Sequence, residues 1–213
     1  MSDRFSLDPL WRQAALSYTA VALAPLGVQA GVQPVLARVA AAAAPAGLRI
    51  VPAETLHLSL YGIAPVRSDF DKTAYWQTHG ERALTELRDW ATAQPPVTLR
   101  FTSLRATSIA VIAVAEPDDA VWSLRRRLAA MLPPPPGGPP QYDLIHVTLA
   151  RYADAVALPA DFAARISALP LDLPFPLHTV ALMREAVYPA LEFDILATLP
   201  LVALPSGSPE PVA

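Results

Sequence analysis

Leu56-His57-Leu58-Ser59-Leu60 and Ile145-His146-Val147-Thr148-Leu149 share one pattern: a histidine two residues before a hydroxyl, with aliphatic residues between and on either side. Alternation of period two fits a β-strand buried on one face and does not fit a helix. On such strands His57 and Ser59 point one way while Leu56, Leu58 and Leu60 point the other. His146 and Thr148 repeat this against Ile145, Val147 and Leu149. The chain must therefore supply two half-buried strands, each presenting an imidazole beside a hydroxyl.

The elements around the two strings also repeat. Strands are expected over 17–24, 56–63, 97–104, 108–115, 144–152, 177–183 and 191–199, and helices over 32–44, 70–94, 118–132 and 159–168. Prolines punctuate them, and Pro133–Pro140 is a loop because its prolines leave few backbone donors. The histidines lie 89 positions apart (57 to 146), and that offset carries the strand–helix–motif strand order of the second half onto the first. The expected fold class is α+β: a duplicated βαβ-type, two-lobed fold with a central groove between two antiparallel sheets. One domain is expected over 1–204, with lobes of roughly 14–104 and 105–204 between which strands are free to exchange, and a flexible tail over 205–213.

Composition narrows the functional classes. With 53% hydrophobic and 16% charged residues the chain is a folded globular protein. A net charge of −3 argues against a surface that tracks long duplex nucleic acid, whereas a small phosphorylated substrate needs only a few local cations. The absence of cysteine excludes disulfides and thiolate metal sites. The first residues lack the pattern of a signal peptide, and the apolar stretch 14–32 is broken by Pro25, Gly27 and Gly31, so no membrane segment and a cytoplasmic location are expected. A monomer is the simplest expectation.

Two imidazoles titrating near neutrality can be held as one neutral base and one charged acid. Opening a cyclic phosphodiester needs that division: a base takes a proton from water while an acid protonates the departing ribose oxygen. Ser59 and Thr148 can donate hydrogen bonds to the non-bridging phosphate oxygens. No metal or other cofactor is called for.

The segment Arg49–Gly62, which contains His57-Leu58-Ser59, resembles the first signature of the 2H phosphoesterase superfamily. His146-Val147-Thr148-Leu149-Ala150-Arg151 is similar to its second, notably in the RNA 2′,3′-cyclic phosphodiesterase and 2′-5′ RNA ligase branch, and 18–25 is similar to that family's opening strand. The resemblance implies a two-lobed fold with a central groove, His57 and His146 as acid and base, and Ser59 and Thr148 on the phosphate. It implies hydrolysis of a 2′,3′-cyclic phosphate on a nucleotide or RNA end to a 2′-phosphomonoester, or action on a related 2′-5′ linkage, with ligation in some members. Ser59 stands where threonine is commoner, which keeps the hydroxyl.

Arg151 poses a conflict. Strand parity sends it to the face opposite His146, while the resemblance places it on the phosphate; a bulge after Leu149 would reconcile the two. By parity Tyr61 lies with His57 and Tyr152 with His146, so both are candidates for stacking on a base, or equally for core packing. His79 reads as a surface histidine, His178 as a lesser groove candidate, and Arg125-Arg126-Arg127 as a solvated helix face. The same motif residues also suit a non-catalytic module that binds nucleotides or RNA ends, and a structural protein with accidental motifs predicts histidines far apart.

Overall fold

The two motif strands lie side by side at the centre of one antiparallel sheet. The computed structural model describes residues 5–43, 47–136, 138, 140–153 and 158–202, so the tail expected over 205–213 lies outside the described residues. Along the chain run β1 (Ala14–Leu23), α1 (Leu26–Ala41), β2 (Leu48–Ile50), β3 (His57–Ala64), α2 (Lys72–Thr92), β4 (Val97–Ala106), β5 (Ala110–Ala115), α3 (Asp119–Met131), β6 (His146–Tyr152), α4 (Phe162–Ala168), β7 (Leu173–Leu177), β8 (Thr179–Val187) and β9 (Glu192–Pro200). The sheet order is β7-β4-β5-β6-β3-β1-β8-β9, with β2 added on β6. β3 and β6 meet at a single pair, Leu58 with Val147, so the sheet is two halves joined along a short seam.

The duplicated unit is visible on each side of that seam: β1 pairs with β3 as β5 pairs with β6. The helices cross over. α1 leaves β1 yet packs on β7 and β2, in the other half, while α3 leaves β5 and packs on β3. The main core fills the space between helices and sheet and includes Leu56, Leu58 and Leu60 together with Ile145, Val147 and Leu149, the apolar faces of both motif strands. Asp71 caps α2 by accepting from the Ala74 N–H, and Asp118 caps α3 by accepting from Ala120 and Val121.

The short strand β2 was not expected, and two further elements differ from expectation. The strand expected over 177–183 divides at His178: β7 ends at Leu177 on one edge of the sheet, and β8 begins at Thr179 in the opposite half. Pro174 and Pro176 argue against a strand in the sheet interior, where each removes a ladder donor, but an edge strand tolerates them. The first helix begins at Leu26 rather than Val32 and accommodates Pro34 within it.

Candidate active site

Both halves of the sheet carry a bulge at the same place. In β3, Val21 of β1 opposes Ser59 and Ala20 opposes Tyr61, leaving Leu60 as the extra residue. In β6, Ile112 opposes Thr148 and Val111 opposes Ala150, leaving Leu149 extra. Leu60 and Leu149 each follow their histidine by three positions. A bulge of one residue reverses which face the following side chains occupy. Arg151 is thereby turned onto the face of His146 and Thr148, where it lines the cleft. Tyr61 and Tyr152 are turned the other way: both are buried in the core, and neither lines the cleft. The Tyr152 hydroxyl donates to the Thr107 and Ala110 carbonyls and its ring packs on Phe5 and Phe162. The parity that grouped these tyrosines with the histidines fails at the bulges.

The cleft, of about 470 Å³, brings together His57, Ser59, His146, Thr148 and Arg151. The register set by Leu58 and Val147 places His57 opposite Thr148 and Ser59 opposite His146. His57 and His146 thus lie on a diagonal across the seam, their backbone positions on the order of 7–8 Å apart. Among the described residues neither hydroxyl has a protein partner. Asp8, Arg67, Glu185 and Tyr188 complete one end of the site. Asp8 lies just before β1, fully buried at its carboxylate, and bonds Arg67 at 2.8 Å and Arg151 at 3.2 Å. Burial alone would raise the Asp8 carboxyl, but the Arg67 hydrogen bond, the Leu10 N–H and the Arg151 charge outweigh it and hold it below its usual value. One carboxylate is shared by two guanidiniums, and the buried Nε of Arg151 has no hydrogen-bond partner among the described residues. The Tyr188 ring lies beside both cations, 5.6 Å from Arg67 and 5.3 Å from Arg151. Glu185 accepts from the Ser17 hydroxyl at 2.8 Å and from the Ala190 N–H, and burial pushes its carboxyl up.

The two histidines are held differently. His57 Nδ1 lies 2.9 Å from the Thr55 carbonyl, at the end of a single 3₁₀ turn (Ala53–Thr55). A carbonyl only accepts, so Nδ1 carries the proton and Nε2 is left for the substrate. His146 Nδ1 is buried and has no hydrogen-bond partner among the described residues. The carbonyl equivalent to Thr55, that of Leu144, is taken by Arg125 Nη1 at 2.9 Å. Arg125 also donates to the Leu60 and Ser59 carbonyls at 3.1 and 3.2 Å, so it secures the first bulge as well. Its guanidinium lies 4.7 Å from the Trp122 ring and 4.3 Å from that of Tyr142. Arg125 is therefore buried, not on the solvated face expected of the arginine run. The signal was in the spacing, because Val121, Leu124, Arg125 and Leu128 form one buried stripe.

Desolvation lowers both imidazoles below their ordinary value. For His57 the Thr55 hydrogen bond works against this and the Arg151 charge adds to it. For His146 the charges of Arg125 and Arg151 add to the lowering, and Asp143 partly offsets it. His79 packs beside Tyr75 on α2 and His178 is exposed between β7 and β8; neither lines the cleft. Asp8 and Arg67 escaped the sequence reading because they sit in irregular segments that only the fold brings to Arg151. Among the described residues no group of three or more histidine and carboxylate side chains is placed to hold a metal ion, and no helix is long and apolar enough to cross a membrane.

No curated protein matches the chain. Solved structures do. The protein TT0787 of Thermus thermophilus is similar at 20% identity and TM-score 0.66, over 87% of this chain and 97% of that one. E. coli LigT complexed with 3′-AMP is similar at 20% identity and TM-score 0.55, over 89% and 98%. LigT complexed with ATP gives 20% identity and TM-score 0.56, over 89% and 99%. At such identities the likeness establishes the fold, the curled antiparallel sheet with helices behind it. The family pattern of the 2′-5′ RNA ligase superfamily matches residues 29–188, which include both motif strands and the bulge that delivers Arg151. That match spans well over half of the sequence, and the chain belongs to the 2′-5′ RNA ligase superfamily, the 2H phosphoesterases.

Proposed function

We propose that the protein hydrolyses 2′,3′-cyclic phosphate ends of nucleotides or RNA to 2′-phosphomonoesters by paired-histidine acid/base catalysis. The observation that carries this reading is the diagonal placement of two differently held imidazoles across a cleft that also presents two free hydroxyls and an arginine with an unpartnered N–H. His146 is assigned as the base: among the described residues it has no acceptor on Nδ1, and two guanidiniums oppose its protonation. His57 is the acid, since Thr55 supports its protonated form. The oxygen of water attacks phosphorus as His146 removes its proton, and the P–O3′ bond breaks as His57 Nε2 delivers a proton to O3′. Ser59, Thr148 and Arg151 hold the non-bridging oxygens. The small nucleotides named with LigT, 3′-AMP and ATP, support a nucleotide-sized ligand.

The test is turnover of a nucleoside 2′,3′-cyclic phosphate, with the product assigned by phosphorus NMR. A 2′-phosphate product, formed equally well with a chelator present, is expected. Binding without turnover would identify a non-catalytic module and overturn the assignment.

The pH dependence follows from the direction of the shifts. Catalysis needs one imidazole charged and one neutral, and in the free protein both titrate below the ordinary value of 6.5. The rate constant kcat/KM is therefore expected to be bell-shaped with its optimum below pH 6.5, falling as pH rises and His57 loses its proton. A bound phosphodiester anion favours the charged form, so the kcat profile lies at higher pH.

Replacing Arg151 by methionine removes the cation that touches the phosphate. The loss of a charge-assisted hydrogen bond is expected to lower kcat/KM roughly 10- to 100-fold. Because Arg151 also depresses both imidazoles, the kcat/KM optimum of this variant moves to higher pH.

A further inference from the structure

Next to Arg151 lies a second groove, of about 370 Å³, lined by Trp11, Arg12, Arg49 and Ile50. Its connection to the site is structural. Arg49 of β2 is the direct partner of Arg151 on β6, and opposed residues of an antiparallel pair project on the same face with Cβ atoms roughly 4.5–5.5 Å apart. Ile50 in this groove is followed by Val51 in the cleft. On the other side, Arg12 N–H donates to the carbonyl of Tyr188, a cleft residue, at 2.8 Å. Paired and consecutive residues thus line the cleft on one side and the groove on the other.

Its chemistry is aromatic and cationic. The Arg49 guanidinium lies 5.4 Å from the centroid of the Trp11 ring, which is partly exposed. Among the described residues neither Arg49 nor Arg12 has a carboxylate partner, in contrast to Arg67 and Arg151. Arg12 adopts a left-handed backbone (φ 59°), a conformation rarely taken by side chains of this kind, in the turn that seats Asp8 and displays Trp11. An indole in one groove with two guanidiniums that have no carboxylate partner among the described residues is a combination suited to single-stranded nucleic acid, one surface for a base and charges for the backbone phosphate.

We infer that Trp11, Arg49 and Arg12 form a subsite for the nucleotide preceding the cyclic phosphate, so that the preferred substrate is the end of an RNA strand rather than a mononucleotide. The inference rests on the phosphodiesterase reading above and names its substrate class. The flanking base stacks on Trp11, and the phosphate linking it to the terminal nucleoside meets Arg49 and Arg12.

The experiment compares a nucleoside 2′,3′-cyclic monophosphate with a trinucleotide ending in a 2′,3′-cyclic phosphate. The wild-type protein is expected to favour the trinucleotide in kcat/KM by roughly tenfold or more, in line with the worth of one stacked base. Trp11→Ala and Arg49→Gln should each abolish that preference while leaving mononucleotide turnover unchanged, and Trp11→Phe should retain most of it. Equal turnover of both substrates by the wild type, or equal losses on both in the variants, overturns the subsite. A binding measurement stands apart from turnover: a trinucleotide 3′-phosphate should quench tryptophan emission in the wild type, more weakly in Arg49→Gln and not in Trp11→Phe. If neither cyclic substrate is turned over, the hydrolytic reading falls and the quenching alone decides the subsite, its absence overturning it.

Discussion

His57→Ala and His146→Ala are each expected to lower turnover of a 2′,3′-cyclic phosphate by roughly 10²–10⁴-fold, the range that a positioned proton donor or acceptor supplies. The two losses should not multiply in the double variant, because attack and departure are parts of one concerted displacement and either missing group exposes most of the barrier. The variants should separate on substrates with a better leaving group. A nitrophenyl phosphodiester departs without protonation, so His57→Ala should recover much of its rate on it, while His146→Ala should not. Recovery in His146→Ala instead would reverse the assignment of acid and base. Each variant should still fold, since both side chains face the cleft rather than the core.

Arg125→Met is expected to destabilise the fold by about 3 kcal/mol, the balance of two opposing effects. Methionine fills much of the space between Trp122 and Tyr142, yet the carbonyls of Ser59, Leu60 and Leu144 lose their donor in a buried region. An unsatisfied buried polar group costs roughly 1–3 kcal/mol, and relief of the desolvated guanidinium offsets part of the sum. Urea unfolding measures this loss. The variant has a second signature. Removing Arg125 takes away a charge that depresses His146 and frees the Leu144 carbonyl, so His146 should titrate closer to the ordinary imidazole value by proton NMR. A protein that loses stability with no change at His146 would show that Arg125 only packs.

The sequence carried the polar side chains of the cleft more clearly than their surroundings. His57, Ser59, His146 and Thr148 were legible because a half-buried strand writes its two faces into alternate residues. Arg151 was legible only as a conflict between parity and resemblance, which the bulge at Leu149 resolves. Tyr61 and Tyr152 were misplaced for the same reason: a bulge leaves no mark in composition, and one extra residue reverses every face beyond it. Asp8 and Arg67 lie 59 positions apart in segments without periodicity, so their meeting is a property of the closed fold. Arg125 was hidden within a run of three arginines although it occupies a core position of α3. β7 was hidden by its prolines, which are admissible only at an edge that the sequence does not announce.

Leu60 and Leu149 also govern which changes in length the chain tolerates. Absorbing Leu149 into the regular ladder of β6, with no change in chain length, would drive Arg151 into the hydrophobic layer and swing Tyr152 out to water, whereas deleting Leu149 would keep both on their present faces. The same holds at Leu60 for Gly62 and Tyr61. Gaps or insertions in β9, which contributes no group to the cleft, reposition nothing that reacts. Face in the two central strands therefore depends on keeping the extra residue out of the ladder, and divergent relatives are expected to vary freely in loop and edge length while holding the counterparts of His146, Thr148 and Arg151 on one face, with the bulge or without its extra residue.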